Sequence, residues 1–330
     1  KYKNTPQRGE LWLRLAEVYV EKASYLDFRK QTEYDQKLKD YQSKKTKVKP
    51  RLDLREAKEY NKKAINLYEW FVRDFPKDQK MDQALFFLGY NNYELGDTKK
   101  GTHYYQELTQ RFPKSLYVIE SNFALAEFYF ENEKWTDARS HYEQVIKYKR
   151  HRLFSFSLYK LAWCEFRSGN TEQALKDMEA LIRYGRETQA QADLEGKRNI
   201  NKNRLESEGL RDIVLFYAEV GSAQQAPDYF ERLVGADAPN YLDKLAYFYG
   251  DKGNIEGSRY LFNYLIEKNP TAPKAFDYKY QVVRLFSNAK QSKEFREELY
   301  SLVKDFGPSS AWFQTNIARK DLTDNAVKLR

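Results

Sequence analysis

Apolar residues recur along this chain at three- and four-residue intervals, in segments that short polar turns separate. This period places them on one face of an α-helix. The pattern is most regular in residues 84–113, where two such segments are joined by a turn at Gly96 and Asp97. Pro113 ends the second segment, because proline lacks a backbone N–H and clashes with the preceding turn. These residues therefore predict a helix–turn–helix unit.

Small residues allow the two predicted helices to approach closely. Gly89 lies in the first helix and Gly101 in the second, so neither has a side chain that would hold the helices apart. Tyr105 and Leu108, about one turn apart, are predicted to fill the seam between them. Similar pairs of a leucine and a small residue recur along the chain, which indicates repeated units. These pairs are Leu15-Ala16, Leu125-Ala126, Leu161-Ala162 and Leu245-Ala246.

Several residues of the 84–113 unit fall at the spacings of a tetratricopeptide repeat (TPR), a helix–turn–helix unit of about 34 residues. They are Leu88, Gly89, Asn92, Gly96, Gly101, Tyr105, Leu108 and Pro113. The chain resembles the TPR superfamily from Leu11 to Phe306, specifically in its second to fourth repeats and more loosely in the last three. The resemblance implies an all-α fold, a right-handed TPR-like α-solenoid of about seven helix pairs with a long-helix insertion near the N-terminus.

Two segments depart from the repeat and divide the chain. Residues 27–51 indicate an insertion in the first repeat, made of an overshooting helix and a basic loop. Residues 188–206 are polar and predict either an inserted loop or an elongated helix pair. We therefore expect an N-terminal TPR array in residues 1–187 and a degenerate array with a cap in residues 207–330.

The ends of the predicted stack differ in character. Trp312 and Phe313 are predicted to cover the last seam, because a solenoid needs a cap over its exposed face. The polar tail after Ala318 is predicted to fray. In the first helix, one apolar face is expected to consist of Leu11, Leu15, Tyr19 and Ala23.

The repeat ends and the start of the chain carry a narrower resemblance. Residues 74–78 and 111–115 read Asp-Phe-Pro-Lys-Asp and Arg-Phe-Pro-Lys-Ser, and residues 11–19 read Leu-Trp-Leu-Arg-Leu-Ala-Glu-Val-Tyr. These are similar to bacterial envelope TPR proteins: outer-membrane protein-assembly lipoproteins, the Tol-Pal-associated coordinator and, most of all, gliding-motility members. The resemblance implies a non-catalytic scaffold for a protein partner, periplasmic or envelope-associated, with a cytoplasmic location as the alternative. No apolar run approaches about 20 residues, so no transmembrane segment is predicted.

The resemblance also implies that the first helix of each pair lines a concave groove. The groove positions lie two residues before, two after and five after the leucine of each leucine–small pair. In repeats two to four, eight of these nine positions are aromatic. They are Phe86, Tyr90, Tyr93, Phe123, Glu127, Phe130, Tyr159, Trp163 and Phe166, and Arg167 follows them. Solvent-facing positions have no packing need for aromatics, so they predict a surface that clamps a helix or extended peptide. The alternative is that these rings belong to the core.

A basic loop is the second candidate site. Its charged residues are Lys44, Lys45, Lys47, Lys49 and Arg51. Such a loop can contact anionic lipid or nucleic acid, and the alternative is a solvated loop tip. A net charge of +9 suggests a nucleic-acid-binding helical repeat protein as an alternative function, and a cell-wall glycan-binding module is a third. Acidic residues at groove positions disfavour a phosphate backbone: Glu120, Glu127, Glu131 and Asp243.

The sequence contains no catalytic or metal-binding motif. The histidines lack metal-ligand spacing, and no phosphate-binding loop, dinucleotide fingerprint or nucleophile elbow occurs. His103 and His141 are predicted to be solvated on second helices. Cys164 is the single cysteine and is predicted to be a small buried apolar residue. We therefore expect no enzymatic activity, no cofactor and no metal.

Overall fold

A computed structural model of the chain describes residues 7–194 and 200–328. Among these residues it contains helices and no strand, which confirms the all-α fold class. The chain divides into two compact units, Lys1–Ser168 and Gly169–Arg330. This division falls in the turn of the predicted fourth repeat, and the predicted domain limits stay a prediction.

The first unit consists of helices that pack on their neighbours in sequence. The helices are α1 Arg8–Gln42, α2 Arg55–Asp74, α3 Met81–Leu95, α4 Thr98–Arg111, α5 Val118–Glu131, α6 Trp135–Val145 and α7 Phe154–Arg167. The pair α3–α4 is the helix–turn–helix unit expected for residues 84–113. Since α1 and α2 are the longest of the seven, much of the predicted insertion is helix, and a loop at residues 43–54 carries the basic residues.

The second unit begins with two long helices and continues with shorter pairs. The helices are α8 Thr171–Leu194, α9 Ile200–Val220, α10 Ala226–Val234, α11 Ala238–Asp251, α12 Ile255–Lys268, α13 Ala275–Asn288, α14 Ser292–Phe306, α15 Ala311–Thr315 and α16 Lys320–Lys328. Residues 188–194 and 200–206 are helical. Of the two structures expected for residues 188–206, the elongated helix pair is therefore the one observed, and the inserted loop is not. Residues 195–199 lie outside the described residues. The alanines, glutamines and glutamates of this segment are good helix formers.

A shared turn chemistry joins the helices within two of the pairs. Gly96 has a φ of 85°, in the left-handed region that glycine adopts without steric cost. Asp97 then caps α4 by accepting a hydrogen bond of 3.1 Å from a backbone N–H of its first turn. Gly253, with a φ of 79°, and Asn254 repeat this arrangement between α11 and α12. Local sequence thus ends one helix and begins the next.

The close approach predicted within the α3–α4 pair is confirmed, and it is reciprocal. A Cβ atom added to Gly89 would lie 2.5 Å from the Tyr105 ring. A Cβ atom added to Gly101 would lie 2.1 Å from the Tyr93 ring and 2.9 Å from the Gly89 carbonyl oxygen. Each glycine therefore provides the space that an aromatic ring of the opposite helix fills.

The apolar face predicted for the first helix is wrong at Leu11 and Leu15, but it includes Ala23, which is buried, and Tyr19, which packs half-buried against the core. Leu11 and Leu15 are exposed, with 53% and 42% of their surface accessible. The face that packs on the body of the unit contains Leu13, Ala16, Ala23 and Leu26. Apolar residues lie on two faces of α1, and periodicity alone does not tell which face a neighbouring helix covers.

The cap expected at Trp312 is confirmed. Trp312 is 1% exposed, and its ring centroid lies 5.4 Å from those of Phe276 and Phe306. Its indole N–H donates a hydrogen bond of 2.7 Å to the carbonyl oxygen of Ala272. Phe313 is half-buried against the same cluster. The end of α14 and the start of α13 are therefore covered.

The fraying predicted for the tail after Ala318 is wrong for residues 320–328, and residues 329–330 lie outside the described residues. Residues 320–328 form α16, which buries Thr323 and Ala326. With Leu322, which packs against the Trp312 cluster, these residues form a short apolar face on an otherwise polar helix. That face explains why the segment is helical despite its polar composition.

Candidate protein-binding surface

The nine predicted groove positions are all half-buried. α3 carries Phe86, Tyr90 and Tyr93, α5 carries Phe123, Glu127 and Phe130, and α7 carries Tyr159, Trp163 and Phe166, followed by the exposed Arg167. The repeat leucines beside them are buried: Leu88, Leu125 and Leu161. Each of the three helices thus presents a partly open, mostly aromatic edge next to a buried one.

Residues of α5 and α7 meet in one cluster. The rings of Phe123 and Phe156 are 5.7 Å apart at an angle of 65°. Lys160 Nζ lies 4.0 Å from the centroid of the Phe130 ring and 3.5 Å from Oε2 of Glu127. We call these five residues the α5–α7 cluster. It combines three aromatic rings and one internal charge pair on neighbouring helices.

A buried tyrosine fixes the carboxylate of the cluster. Tyr142 of α6 is fully buried and donates a hydrogen bond from its hydroxyl to Oε1 of Glu127. Burial raises the pKa of Tyr142, and the Glu127 charge raises it further, so the hydroxyl stays a neutral donor. Each Glu127 oxygen therefore has one partner, because Lys160 approaches the other.

The groove positions predicted from the spacing to each repeat leucine (the groove rule) do not include two members of the cluster. Phe156 and Lys160 precede Leu161 by five residues and one residue, whereas the rule takes the position two before it. The signal that finds them is the helical period, since residues 156, 160 and 163 follow the i, i+4, i+7 spacing of a single face. Phe156 and Lys160 therefore share a face with Trp163.

The three aromatic residues of α3 do not form one patch. Phe86 stacks on Tyr117, with ring centroids 4.6 Å apart. Tyr93 packs within its own helix pair, where its hydroxyl lies 2.8 Å from Oγ1 of Thr102. Tyr90 lines a polar pocket against α1 and α2. The predicted α3 positions therefore do not share one open surface, although Phe86 and Tyr93 both pack against the Tyr105 ring, with centroids 5.8 Å and 5.6 Å away.

The end of α7 extends the aromatic face beyond the cluster. Trp163 and Phe166 contact each other edge to face, with ring centroids 5.7 Å apart. The guanidinium carbon of Arg167 lies 5.5 Å from the Trp163 ring centroid, within cation–π distance. Tyr159 lies one turn before Trp163 and is half-buried. This edge offers an indole, a phenol and a cation on one helix.

The basic loop is fully accessible. Its five charged residues are exposed, and Lys45 Nζ lies 3.8 Å from the carboxylate of Asp40. The binding of an anionic ligand here stays a prediction. In the part of the chain that the structure describes, no helix has the length and apolar character needed to cross a bilayer. No group of three or more potential ligands there could hold a metal ion.

Cys164 is fully buried, as its sequence surroundings predict. Burial, and next the charge of Glu165, raise the pKa of its thiol to about 12. Because the thiolate is the nucleophilic form, this thiol is inert near neutral pH.

His141 is half-buried, and the prediction that it is solvated is wrong. Its ring stacks on Tyr129, with centroids 5.5 Å apart and an interplanar angle of 6°. Its Nδ1 lies 2.8 Å from Oδ1 of Asn122. Burial lowers the pKa of His141 below 6.5, and the charge of Asp137 opposes this in part. Helix α5 packs against α6 and covers the side of His141 that the repeat pattern predicted to face solvent.

We expect His141 to make the protein less stable as the pH falls from about 7 to about 5. Its pKa is lower in the folded state, so the unfolded state binds the proton more readily and the stability present above about pH 6.5 is lost in acid. Urea unfolding at several pH values will show a shallower pH dependence in His141→Gln than in the wild type. His103→Gln, at an exposed histidine, is the control. Equal slopes for the wild type and His141→Gln contradict this account.

Two segments match the family model described as tetratricopeptide repeat, residues 83–115 and 156–184. The first spans α3 and α4, and the second begins in α7 and ends in α8. The matches support TPR-type repeats in these two segments, and they indicate no enzymatic family. The matches do not confirm the narrower resemblance to bacterial envelope TPR proteins. A search of curated proteins finds no match.

Solved structures resemble the chain at low identity. A tetratricopeptide repeat protein from Parabacteroides merdae is 14% identical, with 91% of each chain covered and a TM-score of 0.34. Aspartyl phosphate phosphatase F from Bacillus subtilis is 15% identical, with 88% of this chain and 71% of that chain covered and a TM-score of 0.42. A Rap protein complexed with competence and sporulation factor is 11% identical, with 98% of each covered and a TM-score of 0.34. Identities and TM-scores this low do not support assigning the activity or the partner of these proteins to this chain.

Proposed function

We propose that this protein is a non-catalytic scaffold that holds a segment of a protein partner on its first-helix face. The observation that carries the proposal is the α5–α7 cluster, in which three phenylalanine rings stand half-buried around a charge pair. Aromatic groups at a partly open surface are typical of protein-binding sites. The matched repeats belong to a class whose helices commonly bind other proteins in this way.

The chemistry of the cluster favours a partner segment with an apolar anchor. Phe123, Phe130 and Phe156 supply rigid apolar area at a low cost in side-chain entropy. Glu127 and Lys160 are already paired with each other, so a partner charge gains little at this point. Recognition at the cluster therefore depends on shape, as for a helix or extended peptide laid along the groove.

A photo-crosslinking experiment tests the proposal. A photoreactive phenylalanine analogue placed at Phe130 in the native cell is expected to capture a discrete protein partner. The same analogue at Gln144, an exposed position on the second helix α6, is the matched control and is expected to capture none. Phe123→Ser is expected to lower the yield of the Phe130 crosslink at least tenfold. Tyr148→Ser removes an exposed aromatic residue outside the cluster and is expected to leave that yield unchanged.

Equal capture at Phe130 and Gln144, or capture that survives Phe123→Ser in a folded protein, argues against the groove. Circular dichroism of each variant establishes that it is folded. A product that appears only when the analogue replaces a residue of the basic loop, and that is nucleic acid or lipid, favours the alternative functions instead.

We further propose that the scaffold works in a bacterial envelope or motility assembly. The support is the resemblance of the repeat ends and of residues 11–19 to envelope TPR proteins. Fractionation of native cells checks this part: recovery with periplasmic or membrane fractions is expected, and recovery with the cytoplasm alone contradicts it.

A further inference from the structure

A polar pocket of about 170 Å³ lies where α1 passes α2 and α3. The polar residues that line it are Ser24, Asp27, Lys58, Asn61, Tyr90 and Glu94. Its volume is several times the roughly 30 Å³ that one water molecule occupies in the liquid. It is formed by residues of α1 and of the start of α2, together with Glu94 and Tyr90 of α3, and Tyr90 is one of the predicted groove positions.

The charges of this pocket are predominantly negative. Asp27 and Glu94 face it from α1 and α3, and neither forms an ion pair with a residue that the structure describes. Burial, and next the charge of Asp27, raise the pKa of Glu94, and a hydrogen bond with Tyr90 opposes this in part. Lys58 contributes one positive charge at the exposed rim, so two acids face one base.

An unpaired amide points to a ligand. Asn61 is 7% exposed, lines the pocket and forms no hydrogen bond with another residue in the described part of the chain. Its amide atoms are not sealed from solvent, so water in the pocket or a ligand must supply their hydrogen bonds. The Asn61 amide oxygen adds an acceptor to the two carboxylates, and the Tyr90 hydroxyl hydrogen-bonds with Ser24 and Glu94 beside it.

We propose that this pocket binds the cationic head of a lysine or arginine side chain from the partner. The proposal rests on the proposed function, since Tyr90 connects the pocket to the first-helix face. An ammonium group offers three donors and a guanidinium five, which suits a pocket rich in acceptors. A calcium ion would need six to eight oxygen ligands, and no group of three or more acidic, histidine or cysteine residues in the described part of the chain is placed to hold a metal ion.

The test uses capped amino acids as probes. N-acetyl-arginine amide and N-acetyl-lysine amide are titrated into the full chain by isothermal titration or NMR, with N-acetyl-citrulline amide as the neutral isostere. At least one cationic probe is expected to bind with a dissociation constant of about 1 mM or lower, and citrulline at least tenfold more weakly. Asp27→Asn and Glu94→Gln are each expected to weaken binding at least tenfold.

Two further variants keep the test specific. Glu21→Gln removes an exposed carboxylate of α1 outside the pocket and is expected to leave probe binding unchanged. Asn61→Leu is expected to weaken binding without lowering the thermal midpoint, because the amide forms no hydrogen bond with another residue in the described part of the chain. Circular dichroism confirms that each variant is folded.

The outcomes separate this inference from the proposed function. Citrulline binding as tightly as arginine, or no probe binding to the wild type, overturns the cation pocket even where Phe130 crosslinks a partner. Probe binding that depends on Asp27 and Glu94 supports the pocket even where Phe130 captures nothing, and in that case the proposed groove fails. When both hold, Asp27→Asn is also expected to lower the Phe130 crosslink yield severalfold.

Discussion

Glu298→Ala is expected to lower the free energy of unfolding by about 3–5 kcal/mol. Glu298 of α14 is 4% exposed, and its two oxygens lie 2.5 Å from Lys279 Nζ and 2.7 Å from Arg259 Nη2. Lys279 is itself only 8% exposed. Removing the carboxylate leaves a buried ammonium without its counter-charge, and this uncompensated charge, rather than the lost attraction, makes the change costly. Urea unfolding followed by circular dichroism measures the effect.

Two comparisons isolate the buried charge. Glu297→Ala changes the exposed neighbour on the same helix and is expected to alter stability by no more than about 0.5 kcal/mol. The double variant Lys279→Met with Glu298→Leu removes both buried charges and is expected to recover more than half of the loss. A Glu298→Ala effect as small as that of Glu297→Ala, or a double variant whose losses simply add, contradicts this explanation.

The helix pairs could be predicted from the sequence because each carries its own local signals. Gly96 and Asp97 form a left-handed glycine followed by a side-chain cap, and this chemistry involves only residues near in sequence. The approach of Gly89 to Tyr105 likewise lies within one repeat. Such signals can be read without knowing how neighbouring repeats pack. The all-α class and the pairing of helices can therefore be predicted from the sequence alone.

The candidate site could be predicted only in part, because it depends on contacts between repeats. The groove rule reaches α5 and α7, but the meeting of Lys160 with Phe130 depends on how α6 separates these helices. Tyr90 faces α1 beside Ser24 and Asp27, where that helix begins to run beyond the repeat pattern. Leu11 and Leu15 were expected on the wrong face, because α1 carries apolar residues on two faces. Periodicity finds apolar faces but does not assign their neighbours.

Gly101→Ala is expected to destabilise the protein by about 1–3 kcal/mol, although alanine is the better helix former by about 1 kcal/mol. The added Cβ would lie 2.1 Å from the Tyr93 ring and 2.9 Å from the Gly89 carbonyl oxygen. A ring can rotate away, but a backbone oxygen moves only with its helix, so α3 and α4 must separate. The overpacking therefore outweighs the gain in helix propensity. Urea unfolding gives the magnitude, and Lys99→Ala, at an exposed position of α4, is the control with little effect.

A double-mutant cycle with Tyr93→Ala shows whether the ring is the source of the strain. Removing the ring opens space beside residue 101, so Gly101→Ala is expected to cost at least about 1 kcal/mol less in the Tyr93→Ala background than in the wild type. The remaining cost measures the contact with the Gly89 carbonyl oxygen, which no side-chain change relieves. If Gly101→Ala proves stabilising, helix propensity dominates and the two helices are not in close contact at this point. If the cost is equal in both backgrounds, the backbone contact alone limits how closely the two helices of a repeat approach.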